Sequence, residues 1–242
     1  MPAPSLRLDK LIAGAGLSSR SDAKKLIRGG RVTVDGAPVT DPAARCDPLS
    51  EIRLDGERVV WQEYLYLMMN KPAGYLSVTR DDRGPTVLDL RPPALRRRNL
   101  SPAGRLDRDS EGFLILTSDG DFCHRVISPK SGVEKEYRIE VDRPFPEGAE
   151  AAFAAGVLLE DGETCLPARL EPSEDRLSAR VFLSEGKYHQ VKRMALAVGT
   201  RVTRLRRAAI GGVPLDPELA PGAYRELTEA ELRRIDCHFV SM

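Results

Sequence analysis

Apolar positions near the start of the chain recur at helical spacing. Leu8, Leu11, Ile12 and Ala15 fall on one face, and Gly14 and Gly16 weaken or end that helix. Ser21 is placed to cap a second helix, with Ala23, Leu26 and Ile27 as its apolar face and Gly29-Gly30 as its stop. The period then changes to two. Arg31-Val32-Thr33-Val34 alternates and ends in Asp35-Gly36, a strong hairpin turn, and Ile52 to Val60 repeats the pattern around Asp55-Gly56. Together these signals predict a small helix-helix-sheet unit over residues 1–61, with a composition break at Trp61-Gln62-Glu63.

A second unit, residues 62–242, opens with an apolar strand from Tyr66 that runs into Asn70-Lys71-Pro72-Ala73-Gly74. Tyr75 to Thr79 reads as extended, and Asp81 to Pro85 and Arg91-Pro92-Pro93 read as loops. Phe113 to Thr117 is predicted as a central strand, Asp121 to Ile127 as a helix stopped by Ser128-Pro129, and Glu136 to Asp142 as an alternating strand. Ala149 to Ala155 is a short helix ended by Gly156, and Leu177 to Leu183 another strand. His189 to Val198 is helical, with Val191, Met194, Ala195 and Val198 as its buried face and Gly199 as its stop. Lys192 and Arg193 lie beside that stripe, able to reach over the edge of a groove. Many strands among few helices predict an α+β fold: a mixed, largely antiparallel central sheet flanked by helices.

The chain of 242 residues fits one large or two modest domains, and its 41% hydrophobic and 30% charged residues are ordinary for a globular protein. A formal net charge of +1 does not announce a polyanionic partner, but the distribution of charge does. From Lys187 to Arg207 there are seven basic residues and no acid: Lys187, Lys192, Arg193, Arg201, Arg204, Arg206 and Arg207. Arg96-Arg97-Arg98 is a second cluster, and Arg7, Lys10, Arg20, Lys24, Lys25, Arg28 and Arg31 form a third against only Asp9 and Asp22. Acids gather elsewhere, between Glu147 and Asp175. Such segregation is the footprint of a surface that binds nucleic acid. Cys46, Cys123, Cys165 and Cys237 form no Cys-x-x-Cys pair and the three histidines are scattered, so no metal site is expected. No stretch has the length of a signal peptide core or a membrane span, so the chain is expected to be cytoplasmic, with reduced thiols.

The chemistry-bearing stretch is Gly104-Arg105-Leu106-Asp107, followed by Gly112-Phe113-Leu114-Ile115-Leu116-Thr117-Ser118-Asp119-Gly120. One carboxylate sits in a tight loop ahead of a buried strand, which is how a rigid frame presents a reactive group. A chain that cleaved glycosides would work through Asp107 and a second carboxylate such as Asp109 or Asp119.

Two resemblances follow. Arg7-Leu8-Asp9-Lys10-Leu11, Ser18 to Ala23 and Leu26 to Gly36 resemble the S4 RNA-binding module, in which two basic helices grip folded RNA through phosphates and shape. Asn70 to Tyr75, Ala103 to Asp107 with Gly112 to Gly120, Lys135-Glu136-Tyr137, Gly186 to Met194 and Leu205 to Gly211 together resemble the RsuA-type pseudouridine synthases of bacterial ribosomal RNA. His124 to Pro129 and Leu219 to Thr228 are most similar to the small-subunit (16S rRNA) branch. The resemblance implies a reaction without a cofactor, in which uracil is detached from its ribose, rotated and rejoined through carbon. It implies ribosomal RNA, or a partly assembled small subunit, as the partner of a monomeric enzyme. Asp107 is then the essential residue, attacking the sugar or the base or removing a sugar proton. Lys192 matches the basic partner that must oppose the cost of burying that charge, with Arg193 as the competing candidate. Tyr137 matches an active-site tyrosine able to stack on the flipped base. Arg105 matches the arginine that fills the gap left in the RNA, and Lys187, Arg193, Arg206 and Arg207 are expected to contact RNA.

Overall fold

The computed structural model describes residues 5–92, 95 and 98–239. Packing divides the chain into two units: residues up to Leu65 together with Arg91–Asn99, and Tyr66–Leu90 with the rest of the chain from Leu100. The first unit therefore includes a short segment beyond the break expected at Trp61. Arg96 and Arg97, from the second basic cluster, lie outside the described residues.

The first unit begins with β1 (Leu6–Arg7) and α1 (Leu8–Gly14), then α2 (Arg20–Arg28). Its sheet is built from β2 (Val32–Val34), β3 (Ala37–Pro38), β5 (Ile52–Leu54) and β6 (Glu57–Arg58), ordered β3-β2-β5-β6, while β4 (Arg45–Cys46) pairs with β1. Both hairpin turns form where the Asp-Gly pairs predicted them. Asp35 and Gly36 have φ of 50° and 82°, and Asp55 and Gly56 have 53° and 84°. The cap of α2 differs from expectation. Ser19, not Ser21, precedes the helix with extended backbone, and its hydroxyl accepts the Asp22 N–H at 3.1 Å. Leu8, Leu11, Ile12, Ala23, Ile27, Val32 and Ile52 close the core between helices and sheet.

The second unit is a nine-stranded sheet. Its strands are β7 (Tyr66–Lys71), β8 (Ser101–Ala103), β9 (Glu111–Thr117), β10 (Lys135–Val141), β11 (Arg169–Pro172), β12 (Ser178–Leu183), β13 (Val202–Ile210), β14 (Val213–Pro214) and β15 (Tyr224–Glu226). The main path runs β11-β12-β10-β13-β9-β7-β15, with β14 on β13 and β8 on β9. Every pair in this sheet is antiparallel except β13 with β9, where Arg206 lies opposite Glu111 and Arg207 opposite Gly112. Residues Gly112 to Thr117 of β9 are buried without alternation, as expected of a strand covered on both faces. The helices are α3 (Gly120–Ile127), α4 (Ala149–Ala155), α5 (Gln190–Ala197) and α6 (Glu229–Ile235). Phe122 and Val126 of α3 and Leu232 and Ile235 of α6 pack with Phe113, Ile115 and Ile210. Val191, Met194 and Ala195 of α5 pack with Tyr137, Ile139, Val181 and Leu205.

The structure corrects one sequence expectation and adds one strand that none had covered. Tyr75 to Thr79 is not a strand: only Leu76 makes a single bridge, to Thr86, and the Ser77 hydroxyl is spent instead on the backbone of Leu106. Residues 202–210 form a strand at the heart of the sheet, although their five-residue core Arg204-Leu205-Arg206-Arg207-Ala208 carries little apolar signal.

The parallel join depends on Gly112. It has φ of 105°, and a Cβ there would run into the Arg207 carbonyl oxygen and lie 2.9 Å from the Arg207 nitrogen. Gly112→Ala should therefore lower stability by about 2 kcal/mol or more, from strain and forced separation of β9 and β13. Gly120→Ala, at an unstrained helix position with nothing within 4 Å, is the control and should be close to neutral. Thermal unfolding of both variants checks this; equal midpoints would contradict it.

Candidate active site

Asp107 lies in the loop between β8 and β9, and that loop is tied down through its backbone. Lys71, the last residue of β7, is fully buried. Its ammonium donates to the carbonyls of Pro72 (3.1 Å), Asp107 (3.0 Å), Arg108 (3.4 Å) and Ser110 (2.7 Å). Burial pushes Lys71 down to about 8, against the attraction of Asp109 and Asp107. On the other side, Ser77 donates to the Leu106 carbonyl at 2.8 Å and accepts the Leu106 N–H at 3.1 Å. The Gly74 N–H donates to the Arg108 carbonyl at 2.6 Å, and Arg108 Nε returns a bond to the Gly74 carbonyl at 3.1 Å. The backbone of residues 106–110 thus has almost no freedom left, and the Asp107 side chain projects from a fixed base. Sequence reading contained Lys71 and Ser77 but assigned neither a role.

The carboxylate is only partly exposed and faces α5. Lys192 Nζ is 2.9 Å from Asp107 Oδ2 and 2.6 Å from Asp109 Oδ1. Burial would lower the Lys192 ammonium, but the hydrogen bonds it donates to Asp109 and Asp107 hold it above its ordinary value. Burial likewise works to raise Asp109, and the hydrogen bond and charge of Lys192 outweigh it and hold that carboxyl below the usual range. His189, in the left-handed conformation at φ 50° just before α5, brings Nε2 to 3.4 Å from Asp107 Oδ1 and stacks on Tyr188. Of the two cations proposed for the partner role, Lys192 makes the contact. Arg193 pairs instead with Asp161, and lies 3.7 Å from Glu163.

The sheet lines the same cleft. Lys135 and Tyr137, two apart on β10, are both buried, and Tyr137 is opposite Arg207 on β13. Leu205 and Arg207, two apart on β13, are buried while Arg206 between them is exposed. Arg207 was expected on the RNA-binding surface with Arg206; strand parity turns it inward, where Nε donates to the Phe113 carbonyl at 2.7 Å. Asp107, Tyr137, Lys135, Lys192, Arg207, Leu205 and His189 all line one cleft of about 980 Å³. Arg105 is exposed at its edge, one residue after Gly104, whose φ of 88° turns the chain there. Lys187 is held at the rim by the Thr164 carbonyl and by Glu163 at 2.9 Å. Asp119, by contrast, caps α3 by accepting the N–H groups of Asp121 and Phe122 and also accepts the Tyr66 hydroxyl. Its carboxylate is occupied by structure, so it does not pair with Asp107 as two-acid hydrolysis would require.

The cations of the first unit divide into two groups. Arg7 and Arg20 pair with the fully buried Asp9, Arg31 with Asp55, and Lys25 with Asp22. Lys10, Lys24 and Arg28 make no ion pair among the described residues. Arg7, with Arg20, keeps the Asp9 carboxyl below its ordinary range, so these two arginines also hold the unit together.

Residues 65–197 match the family described as RNA pseudouridylate synthase, and residues 6–52 match the S4 domain. The chain is 46% identical over 235 residues to an uncharacterized RNA pseudouridine synthase, YtzG, of Bacillus subtilis (strain 168), covering 96% of this chain and 98% of the relative. It is 42% identical over 235 residues to ribosomal small subunit pseudouridine synthase A of Escherichia coli (strain K12), covering 95% and 100%. A solved pseudouridylate synthase structure, 40% identical, superposes with a TM-score of 0.67 over 96% of this chain and 100% of that one.

Lys71→Met keeps the side-chain volume and removes the donor shared by the carbonyls. It should cost about 2 kcal/mol of stability, allowing for the relieved burial of charge, and should speed amide exchange selectively at residues 106–110. Hydrogen-exchange mass spectrometry with thermal unfolding checks this; unchanged exchange in that loop would show that Ser77 and Gly74 suffice to hold it.

Proposed function

We propose that this chain, which belongs to the RNA pseudouridylate synthase family, converts a uridine of small-subunit ribosomal RNA into pseudouridine. One observation carries the reading of the site: a loop clamped by Lys71 holds the Asp107 carboxylate 2.9 Å from Lys192, in a cleft that Tyr137 also lines. The substrate base is inside folded RNA and must leave its stack to reach that cleft. Arg105, exposed at the edge, occupies the gap the base leaves. Tyr137 offers its ring to the flipped uracil. Asp107 then acts at the ribose or the base, with Lys192 as its counter-charge throughout. The product is an isomer of the substrate, and nothing is added or removed.

Docking falls to the S4 unit. Lys10, Lys24 and Arg28, unpaired among the described residues, and the partly engaged Arg7, Arg20, Lys25 and Arg31 supply phosphate contacts that fix register without reading bases. In the second unit, Lys187 at the cleft rim and the exposed Arg206 supply further phosphate contacts, with Arg193 drawn from its pair with Asp161. We assign the whole 242-residue chain to this division of labour, residues 1–61 docking and 62–242 catalysing, as a monomer in the cytoplasm. No described helix is long and apolar enough to cross a membrane.

The choice of small-subunit RNA rests on the high identity to ribosomal small subunit pseudouridine synthase A, shared along nearly the full length of both chains. It is tested by incubating the purified chain with unmodified small-subunit and large-subunit ribosomal RNA, each free and in partly assembled particles, and mapping pseudouridines at nucleotide resolution. A single new pseudouridine in the small-subunit RNA is expected. Modification confined to the large-subunit RNA would contradict the assignment of substrate while leaving the chemistry in place.

A further inference from the structure

We propose that Lys135 and Arg207 form a paired-cation site for the carbonyl oxygens of the flipped uracil, stabilising negative charge on the base while it is detached from the ribose. The proposal rests on the isomerase reading above and deepens it.

Lys135 and Arg207 are 6% and 3% exposed, and neither has a carboxylate partner among the described residues. Arg207 places Nε on the Phe113 carbonyl and directs Nη1 to the Tyr137 hydroxyl at 3.4 Å, but its buried Nη2 has no hydrogen-bond partner among the described residues. Lys135 Nζ has one contact, the Ser184 carbonyl at 3.5 Å, at the limit of a hydrogen bond. Burial, and then the charge of Arg207, push Lys135 down to about 8. Two buried cations repel each other here with donors to spare, an arrangement that is costly unless an anion or strong acceptor completes it.

The carboxylates that line the cleft are each engaged elsewhere, Asp81 by Arg83 at 2.6 Å. Asp107 is engaged by Lys192 at 2.9 Å, and Glu185 accepts the Leu166 N–H at 2.8 Å and the Gln190 side chain. The surroundings also select the kind of acceptor. Tyr137, Leu205 and Ile210 line the cleft with the two cations, an apolar lining suited to a base rather than to a hydrated phosphate.

The chemistry supplies the charge. When the C1′–N1 bond breaks, both electrons stay with the base and spread over N1, O2 and O4. After rotation, an electron pair of the base forms the C1′–C5 bond, and the proton displaced from C5 is matched by one gained at N1. Nothing is oxidised or reduced. Donors fixed in a dry site and aimed at O2 or O4 favour the state in which the base is detached over the intact nucleotide, which is where rate is gained.

The test uses the full chain and RNA carrying the mapped target as either uridine or 5-fluorouridine, whose base is more acidic and departs with less help. Single-turnover loss of the original nucleoside is followed by nuclease digestion and mass spectrometry, with RNA binding measured alongside. Lys135→Met should slow the uridine reaction by about 100-fold, slow the 5-fluorouridine reaction far less, and leave RNA affinity within about twofold. Lys135→Arg, which keeps the charge, should recover most of the rate. If Lys135→Met lowers the unfolding midpoint, Arg207→Lys is read for the same difference between bases. Equal slowing on both bases, or weakened binding with an unchanged saturating rate, overturns the proposal. Failure of the unaltered chain to isomerise uridine would instead overturn the underlying isomerase reading.

Discussion

A lysine ammonium buried with no carboxylate partner among the described residues governs this molecule. Lys71 ends a strand of the central sheet and spends its charge on four carbonyls, three of them in the loop that carries Asp107. Carbonyls seldom converge on one point unless something positive draws them there. The ammonium does so from inside the core, so the loop takes its shape from the sheet and not from solvent. The reciprocal bonds of Ser77 and Gly74 close the loop from the other side. A carboxylate on such a base needs little reorganisation to act, which is where preorganised sites gain over water.

The second consequence is that one cleft holds both a paired acid and unpaired cations. The acid stands on the loop wall beside Lys192, and the uncompensated cations stand on the sheet at Lys135 and Arg207. The two sheet positions owe their direction to strand parity: Lys135 and Tyr137 share a face of β10, and Leu205 and Arg207 share a face of β13. The one parallel join in the sheet sets Arg207 opposite Gly112, at the start of the strand that follows the Asp107 loop. Sheet topology and site chemistry are therefore the same constraint, enforced at a position where only glycine fits.

Much of this was legible along the chain. The hairpin turns, the helix carrying Lys192 and the buried β9 each have a clear period, and the loop ahead of β9 announced Asp107. What stayed hidden has physical causes. Lys71 reads as the polar end of an apolar strand, because linear spacing does not say which carbonyls will gather around an ammonium. Lys135 was legible only as a neighbour of Tyr137. β13 was missed as a strand because its apolar alternation is interrupted by arginines whose burial depends on the partners on either side. Arg206 and Arg207 looked equivalent for the same reason. The segment Arg91–Asn99 groups with the first unit although it lies inside the second in sequence; its Pro- and Arg-rich run reads as a loop but does not say which unit that loop joins. The cap of α6 was available to reading: Thr228 and Glu231 form a reciprocal capping box.

The central claim is that the clamped carboxylate of Asp107 carries the chemistry and not the binding. It is tested most directly by comparing the unaltered chain with Asp107→Asn in single-turnover release of tritium from RNA labelled at uridine C5, with RNA affinity measured on the same preparations. The substitution keeps size and loop bonds while removing the charge. The account predicts release reduced to background, at least about 10⁴-fold down, with affinity nearly unchanged. Substantial turnover by the verified Asn variant would contradict it and move the chemistry to another group in the cleft.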